Sequence, residues 1–128
     1  MTTARAGNNT PQADCELCSP RNVLVENQEA YACFDSNGLC VGHVIVVPRR
    51  HVADFFEMTV EEHAAVNRLL REARARLVEQ FSPDGFNIGV NIGKAAGQNR
   101  MHVHVHLIPR HHGDVPDPAG GVRRVLRD

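Results

Sequence analysis

HVHVHLIPR, residues 102–110, decides the fold. Three of the chain's 8 histidines fall within five residues here, alternating with Val103 and Val105. Strict alternation marks an extended strand, whose successive side chains point to opposite faces. Val103, Val105 and Leu107 therefore share one face. His102, His104 and His106 share the other, about 7 Å apart along the strand. Three imidazoles on one face read as a metal site, as acid–base or nucleophilic chemistry, or as core packing. The outer two Cα atoms stand about 13 Å apart, too far for all three rings to bind one ion. One outer histidine can still join ligands from elsewhere. Burying three such rings without a role is costly, which weighs against simple packing.

Working outward, GKAAGQNR (residues 93–100) is a glycine-bearing loop, and FNIGVNIG (86–93) reads as a strand before it. The last two strands then form a hairpin with that loop at its tip. Further upstream, NVLVEN (22–27), AYACFD (30–35) and GHVIVVP (42–48) read as three more strands bounded by turn residues. Between the two groups, Thr59 and Glu62 have capping-box spacing. Val66, Leu69, Leu70, Ala73, Leu77 and Phe81 follow at helical intervals, with charged residues between them. That pattern predicts an amphipathic helix over residues 60–80 with one face on a sheet. Ser82-Pro83-Asp84-Gly85 stops it. Strands, one long helix, then two strands favour an α+β domain with an antiparallel sheet over an alternating parallel one.

At 128 residues the chain is one domain, long enough to bury a core. Its net charge is −1, so no strong field draws it to nucleic acid or a membrane surface. No apolar run is long enough to span a bilayer. The polar opening MTTARAGNNTPQAD lacks the apolar core of a signal peptide and reads as a flexible tail, 1–14, which makes the cytoplasm the expected location. The Pro- and Gly-rich stretch 116–128 reads as a second irregular tail.

Of the four cysteines, Cys15 and Cys18 form CELC. That spacing suits half of a tetrahedral zinc site or a redox pair. Cys33 and Cys40 flank the turn Ser36-Asn37-Gly38. Free cysteine is so often buried that a packing role is their default. For the histidine row, a neutral imidazole attacks phosphorus well, and flanking imidazoles can supply charge and a proton. A central nucleophile with a neighbour on each side fits HVHVH. The nearby loop, residues 93–98, offers backbone N–H groups that could face a phosphate.

His102-Val103-His104-Val105-His106-Leu107-Ile108 resembles the histidine triad, His-φ-His-φ-His-φ-φ with φ apolar. AGQNRMHVHVHLIPR (96–110) resembles the full signature of the histidine triad (HIT) family, and GHVIVVPRRH (42–51) resembles its Gly-His strand. CELC resembles the N-terminal pair of the family's bacterial zinc-containing branch. The resemblance covers residues 15–115. It implies a five-stranded antiparallel sheet with one long helix and a short one, two copies of which join into a continuous sheet. It implies a nucleotide hydrolase or transferase acting at an α-phosphate. His104 would be the nucleophile, with His106 and His43 around the phosphate. Asp35 would bind the ribose, and Asn91, Gly97, Gln98 and Asn99 would contact the nucleotide or leaving group. Asn99 departs from the serine or threonine common at its position, which bears on leaving-group preference. The resemblance further implies a structural zinc held by Cys15, Cys18, His51 and His102, with no catalytic cofactor.

The leading substrate on this reading is an AMP-linked molecule of the nucleoside phosphoramidate type, cleaved through a nucleotidyl-histidine. A dinucleoside polyphosphate hydrolase or phosphorylase is the alternative. A nucleotide-binding regulator is the alternative outside enzymes. His63, His111 and His112 read as surface residues, and Arg123, Arg124 and Arg127 as a solvated tail.

Overall fold

The computed structural model describes residues 12–36, 38 and 40–121. Arg123, Arg124 and Arg127 lie outside the described residues. Five strands occur in chain order: β1 (Val23–Glu26), β2 (Ala30–Phe34), β3 (Val44–Pro48), β4 (Gly85–Gly89) and β5 (Val105–Arg110). One long helix, α1 (Val60–Phe81), lies between β3 and β4. The short helical pieces are 3-10 turns at Glu16–Cys18, Phe55–Glu57 and Lys94–Ala96. The strands form one sheet in the order β1-β2-β3-β5-β4, antiparallel at every pairing. The expected α+β architecture is the one observed.

Helix α1 begins where the capping box places it. The Thr59 hydroxyl accepts from the Glu62 amide at 3.0 Å, and the Glu62 carboxylate accepts from the Thr59 amide at 2.9 Å. Its apolar stripe, Ala65, Val66, Leu69, Ala73 and Leu77, is buried on the sheet. Alternation then assigns the faces. Ala30, Ala32, Val44, Val46, Val103, Val105 and Leu107 meet the helix in one core. Tyr31, Cys33, Ile45 and Val47 point the other way and meet Leu17 of the CELC turn. The Tyr31 hydroxyl donates to the Leu17 carbonyl at 2.5 Å, tying that turn to the sheet. Gly42 explains the glycine before His43. Its φ is +90°, and a Cβ there would stand 3.0 Å from the Phe81 ring.

Two strands are shorter than their sequence suggests. The last strand starts at Val105 rather than Met101, so His102 and His104 precede it. Pro48 is the cause. It ends β3 and has no N–H to extend the ladder. The Val103 amide instead donates to the Val52 carbonyl at 2.7 Å. Strand β4 ends at Gly89, opposite His106, because β5 offers only one more residue beyond that pair. The alternation survives: all three histidines are buried away from the helix-facing valines.

Candidate active site and metal centre

Strand β3 brings Ile45 opposite His106 of β5, and β2 brings Cys33 opposite Ile45. His43 and Asp35 lie just beyond the ends of β3 and β2, joined by an Asp35 amide to His43 carbonyl bond of 2.9 Å. The sheet face opposite the helix thus gathers Asp35, His43, His104 and His106. His43 Nε2 and His106 Nδ1 share a hydrogen bond of 2.9 Å, and the Asp35 carboxylate lies 3.9 Å from His43 Nε2. The His104 and His106 rings meet edge to face, 5.0 Å between centroids.

The His104 ring is oriented by its backbone surroundings. Its Nδ1 stands 2.9 Å from the His102 carbonyl, which can only accept. Nδ1 therefore carries the proton, and the lone pair is on Nε2, 3.5 Å from Arg100 Nη2. Burial lowers the pKa of His43, with Arg100 and His104 adding to the effect and Asp35 opposing it. His43 is thus neutral at pH 7. Beside the row lies a cavity of about 190 Å³ whose walls include Leu17, Tyr31, Ile45, Asp35 and Arg100. Cys33 also faces it, but burial pushes its thiol up to about 11, so it is no nucleophile.

Asp35, His43 and His106 converge closely enough to suggest a metal. That group offers one carboxylate and two nitrogens, the His43 and His106 nitrogens bonded directly to each other at 2.9 Å, and no thiolate to complete a closed four-ligand set. A second cluster fits zinc well. Cys15, Cys18, His51 and His102 place their donor atoms within 4.8 Å of one another. The sulfur-to-Nδ1 separations are 3.2 Å (Cys18–His51) and 3.5 Å (Cys15–His102 and Cys18–His102). Tetrahedral zinc with ordinary bond lengths needs about 3.6 Å between sulfur and nitrogen. His102 Nε2 lies 2.7 Å from the Pro48 carbonyl, so it holds the ring proton and Nδ1 faces the sulfurs. Burial lowers the His102 pKa to about 4, keeping the ring in its ligating, neutral form.

The glycine loop is organised inward. The amides of Ala96, Gly97 and Gln98 bond to carbonyls of Gly93 and Lys94, and the Gly93 amide bonds to the Gln98 side chain at 2.8 Å. Those four amides are not aimed at a phosphate, contrary to the sequence reading of the loop. Gln98 is buried, and its side-chain nitrogen donates to the Ala53 carbonyl at 2.9 Å and the Arg100 carbonyl at 3.1 Å. The Asn91 amide nitrogen lies 3.6 Å from where a Cβ would stand on Gly97, and Asn99 is exposed at the loop's end.

Sequence reasoning passed over Arg100. Its Nη1 donates to Glu16 at 3.0 Å, and its Nη2 lies 3.5 Å from both the Asp35 carboxylate and His104 Nε2. The available signal was a lone cation inside AGQNRMHVHVHLI. Arg50 was also missed. It grips the buried Glu62 with two bonds of 2.8 and 2.9 Å, next to His51. The other histidines are peripheral: His63 stacks edge-on to Phe55, and His111 and His112 are exposed. Cys40 is exposed rather than packed in the core, its thiol 3.6 Å from the Pro109 carbonyl of β5.

The sequence matches the HIT domain family over residues 16–113. It is 36% identical over 95 residues to an uncharacterised HIT-like protein of Methanocaldococcus jannaschii, covering 74% of this chain and 73% of that one. An adenylylsulfatase of Arabidopsis thaliana is 32% identical, covering 90% of this chain and 61% of that one. An AP-4-A phosphorylase of Mycobacterium tuberculosis is 35% identical, covering 72% and 48%. The chain also spans only 60% of the length of a HIT-like relative from Mycoplasma pneumoniae. Among solved structures, a HIT family protein of Bacillus anthracis superposes with a TM-score of 0.73 at 29% identity, covering 79% of this chain and 76% of that one. A zinc-bound histidine triad family protein of Mycobacterium smegmatis superposes with a TM-score of 0.71 at 28% identity, covering 89% and 91%.

Proposed function

This chain belongs to the HIT family, and from that premise we propose that it is a nucleotidyl hydrolase or transferase whose nucleophile is His104. The observation that carries the reading is the tautomer of that ring. Its Nδ1–H is fixed on the His102 carbonyl at 2.9 Å, so the Nε2 lone pair is left for attack. Nε2 forms a bond to the α-phosphorus of an AMP-linked substrate as the bond to the leaving group breaks. The leaving group departs with a proton drawn from solvent, and a nucleotidyl-histidine remains. Water then adds to phosphorus and releases AMP and the neutral imidazole. His106 and His43 form the hydrogen-bonded pair beside the nucleophile and contact the phosphate oxygens. Asp35 accepts from the ribose hydroxyls. Asn91, Gly97 and Asn99 border the leaving group, and Gln98 holds their loop in shape.

The four-ligand cluster is a closed Cys2His2 set. Bound zinc there would supply structural cross-linking, with no open position for substrate. Cys15 and Cys18 would hold the N-terminal turn, and His102 would anchor the segment that carries His104.

The substrate class proposed first is a nucleoside phosphoramidate. The names of the Arabidopsis and mycobacterial relatives favour AMP-linked leaving groups generally, and the second of them keeps phosphorolysis of a dinucleoside polyphosphate as the competing reading. A homodimer forms by extending the sheet at β4, its last strand, where Ile88 is 53% exposed. No helix among the described residues is long and apolar enough to cross a membrane, and the cytoplasm, where free nucleotides are abundant, is the proposed location. The test compares turnover of an adenosine phosphoramidate and diadenosine polyphosphates, with His104→Ala as the blank. Histidine-dependent release of AMP from the phosphoramidate is expected. Equal rates with and without His104 would sink the mechanism.

A further inference from the structure

The Arg100 guanidinium is held at one corner only. Nη1 makes a 3.0 Å bond to Glu16, whereas the nearest contacts of Nη2 are both 3.5 Å long. Its Nε, which is buried, finds no hydrogen-bond partner among the described residues. Nε and Nη2 form one edge of the planar fork, the edge that grips carboxylates and phosphates with two parallel bonds. Nη2 stands beside the nucleophile, and Arg100 is part of the wall of the 190 Å³ cavity. A phosphorus placed for attack sits about 3–3.5 Å from His104 Nε2. Its non-bridging oxygens then flank the ring nitrogen, within reach of a guanidinium nitrogen that is itself 3.5 Å from Nε2.

We propose that Arg100 is a phosphate-gripping residue of this site: its Nε–Nη2 edge takes two non-bridging oxygens of the substrate's α-phosphate, while Glu16 anchors Nη1 and aims the fork. Both Nη2 contacts, at 3.5 Å, are long enough to be given up for a shorter charged bond. When phosphate enters, Nη2 exchanges them for a charged oxygen, which leaves Asp35 to the ribose and His104 to the phosphorus. Glu16 lies on the turn between the two cysteines of the metal cluster, so the fold of that turn sets the direction of the fork. The guanidinium thereby discriminates a nucleotide from its nucleoside, because only the former carries the oxygens it grips.

This inference rests on the nucleotidyl-transfer reading, and binding measurements separate the two. Calorimetry with AMP and with adenosine would be run on the wild type, Arg100→Gln, Arg100→Lys and Glu16→Gln. A pair of charged hydrogen bonds corresponds to roughly tenfold or more in affinity. Arg100→Gln should lose AMP affinity by at least about that factor and keep adenosine affinity within about twofold. Arg100→Lys keeps the charge without the fork and should recover only part of the loss. Glu16→Gln should lose about two- to threefold, as expected for an exposed pair. Unchanged AMP affinity in Arg100→Gln overturns the proposal. So does a parallel fall for AMP and adenosine, which would make Arg100 a structural clip. If those results came with turnover that still requires His104, only this inference would fail. A wild-type chain that neither binds AMP nor shows His104-dependent turnover would remove the functional reading and this one with it.

Discussion

His102 and His104 are two residues apart, equally buried and on the same face, yet their rings are committed differently. Both nitrogens of His102 are engaged, one on the Pro48 carbonyl at 2.7 Å and the other facing two cysteine sulfurs at 3.5 Å. His104 has one nitrogen tied to a carbonyl and the other turned to a guanidinium at 3.5 Å. The role of an imidazole follows from what occupies its second nitrogen. One ring is built into the scaffold, and on the proposed mechanism its neighbour is kept for chemistry.

The largest effect expected from that contrast is at His104. His104→Ala should lower turnover by roughly a thousandfold or more, as removal of a nucleophile does. Its stability cost should be about 1–3 kcal/mol, from the loss of a buried ring and of its Nδ1 bond to the His102 carbonyl. A mutant that unfolds instead would show His104 to be as structural as His102.

The second effect is the converse. His102→Ala removes one member of the candidate zinc site and the bond to Pro48. If zinc normally stands near a thousand times its Kd, losing it costs about 4 kcal/mol. Denaturation with and without a chelator measures this. The wild type should fall to the level of the mutant when chelated, and the mutant should respond little. Turnover per folded molecule should stay within about tenfold of wild type, well above that of His104→Ala. Equal losses of turnover in the two mutants would erase the division of labour.

Arg50 and Glu62 sharpen the scaffold side. Glu62 is buried, which by itself raises its pKa, but bonds from Arg50 and Thr59 outweigh this and hold the carboxyl below its ordinary value. Glu62→Gln would leave Arg50, which is 26% exposed, without its charged partner. The expected cost is about 2 kcal/mol, less than for a fully buried pair because solvent screens the guanidinium. Turnover should be unaffected. A cost near zero by chemical denaturation would mean the pair only decorates the link between His51 and α1.

Much of this division was legible in the sequence, and what was missed has physical reasons. Period-two alternation placed the valines on the helix and the histidines opposite, and the capping box located α1. Alternation cannot reveal where a ladder stops. Pro48 on the neighbouring strand ended it, so His102 and His104 sit in an extended segment before β5. The CELC pair signalled a metal half-site, but its partners are 33 and 84 residues downstream of Cys18 and come together only in the fold. Composition marked the glycine loop as a phosphate cradle. Its amides turned inward because Gly93 and Gly97, both at positive φ, close tight turns on themselves. Arg100 escaped notice because a single charge between two motif elements has no period.

The smallest expected effect concerns His43, which belongs to the reactive side. Burial holds its folded pKa below the ordinary 6.5, so the folded chain binds this proton less readily than the unfolded one. The sign follows directly. Above about pH 6.5 neither state is protonated, and the contribution of the neutral ring is fully present. As pH falls below 6.5, the unfolded chain takes up the proton first, and stability is lost until the folded pKa is reached. The slope is at most about 1.4 kcal/mol per pH unit. His43→Asn keeps a polar group toward His106 but cannot titrate. Urea midpoints at pH 7.5, 6.5 and 5.5 should therefore fall more steeply for the wild type than for the variant, only below pH 6.5. Every other group is common to both proteins and cancels in the difference. Parallel slopes would mean that folding leaves the His43 proton as the unfolded chain holds it, and a shallower fall for the wild type would mean that His43 is charged in the fold, paired with Asp35 at 3.9 Å. The reactive row would then carry a fixed imidazolium rather than the neutral pair inferred from its burial.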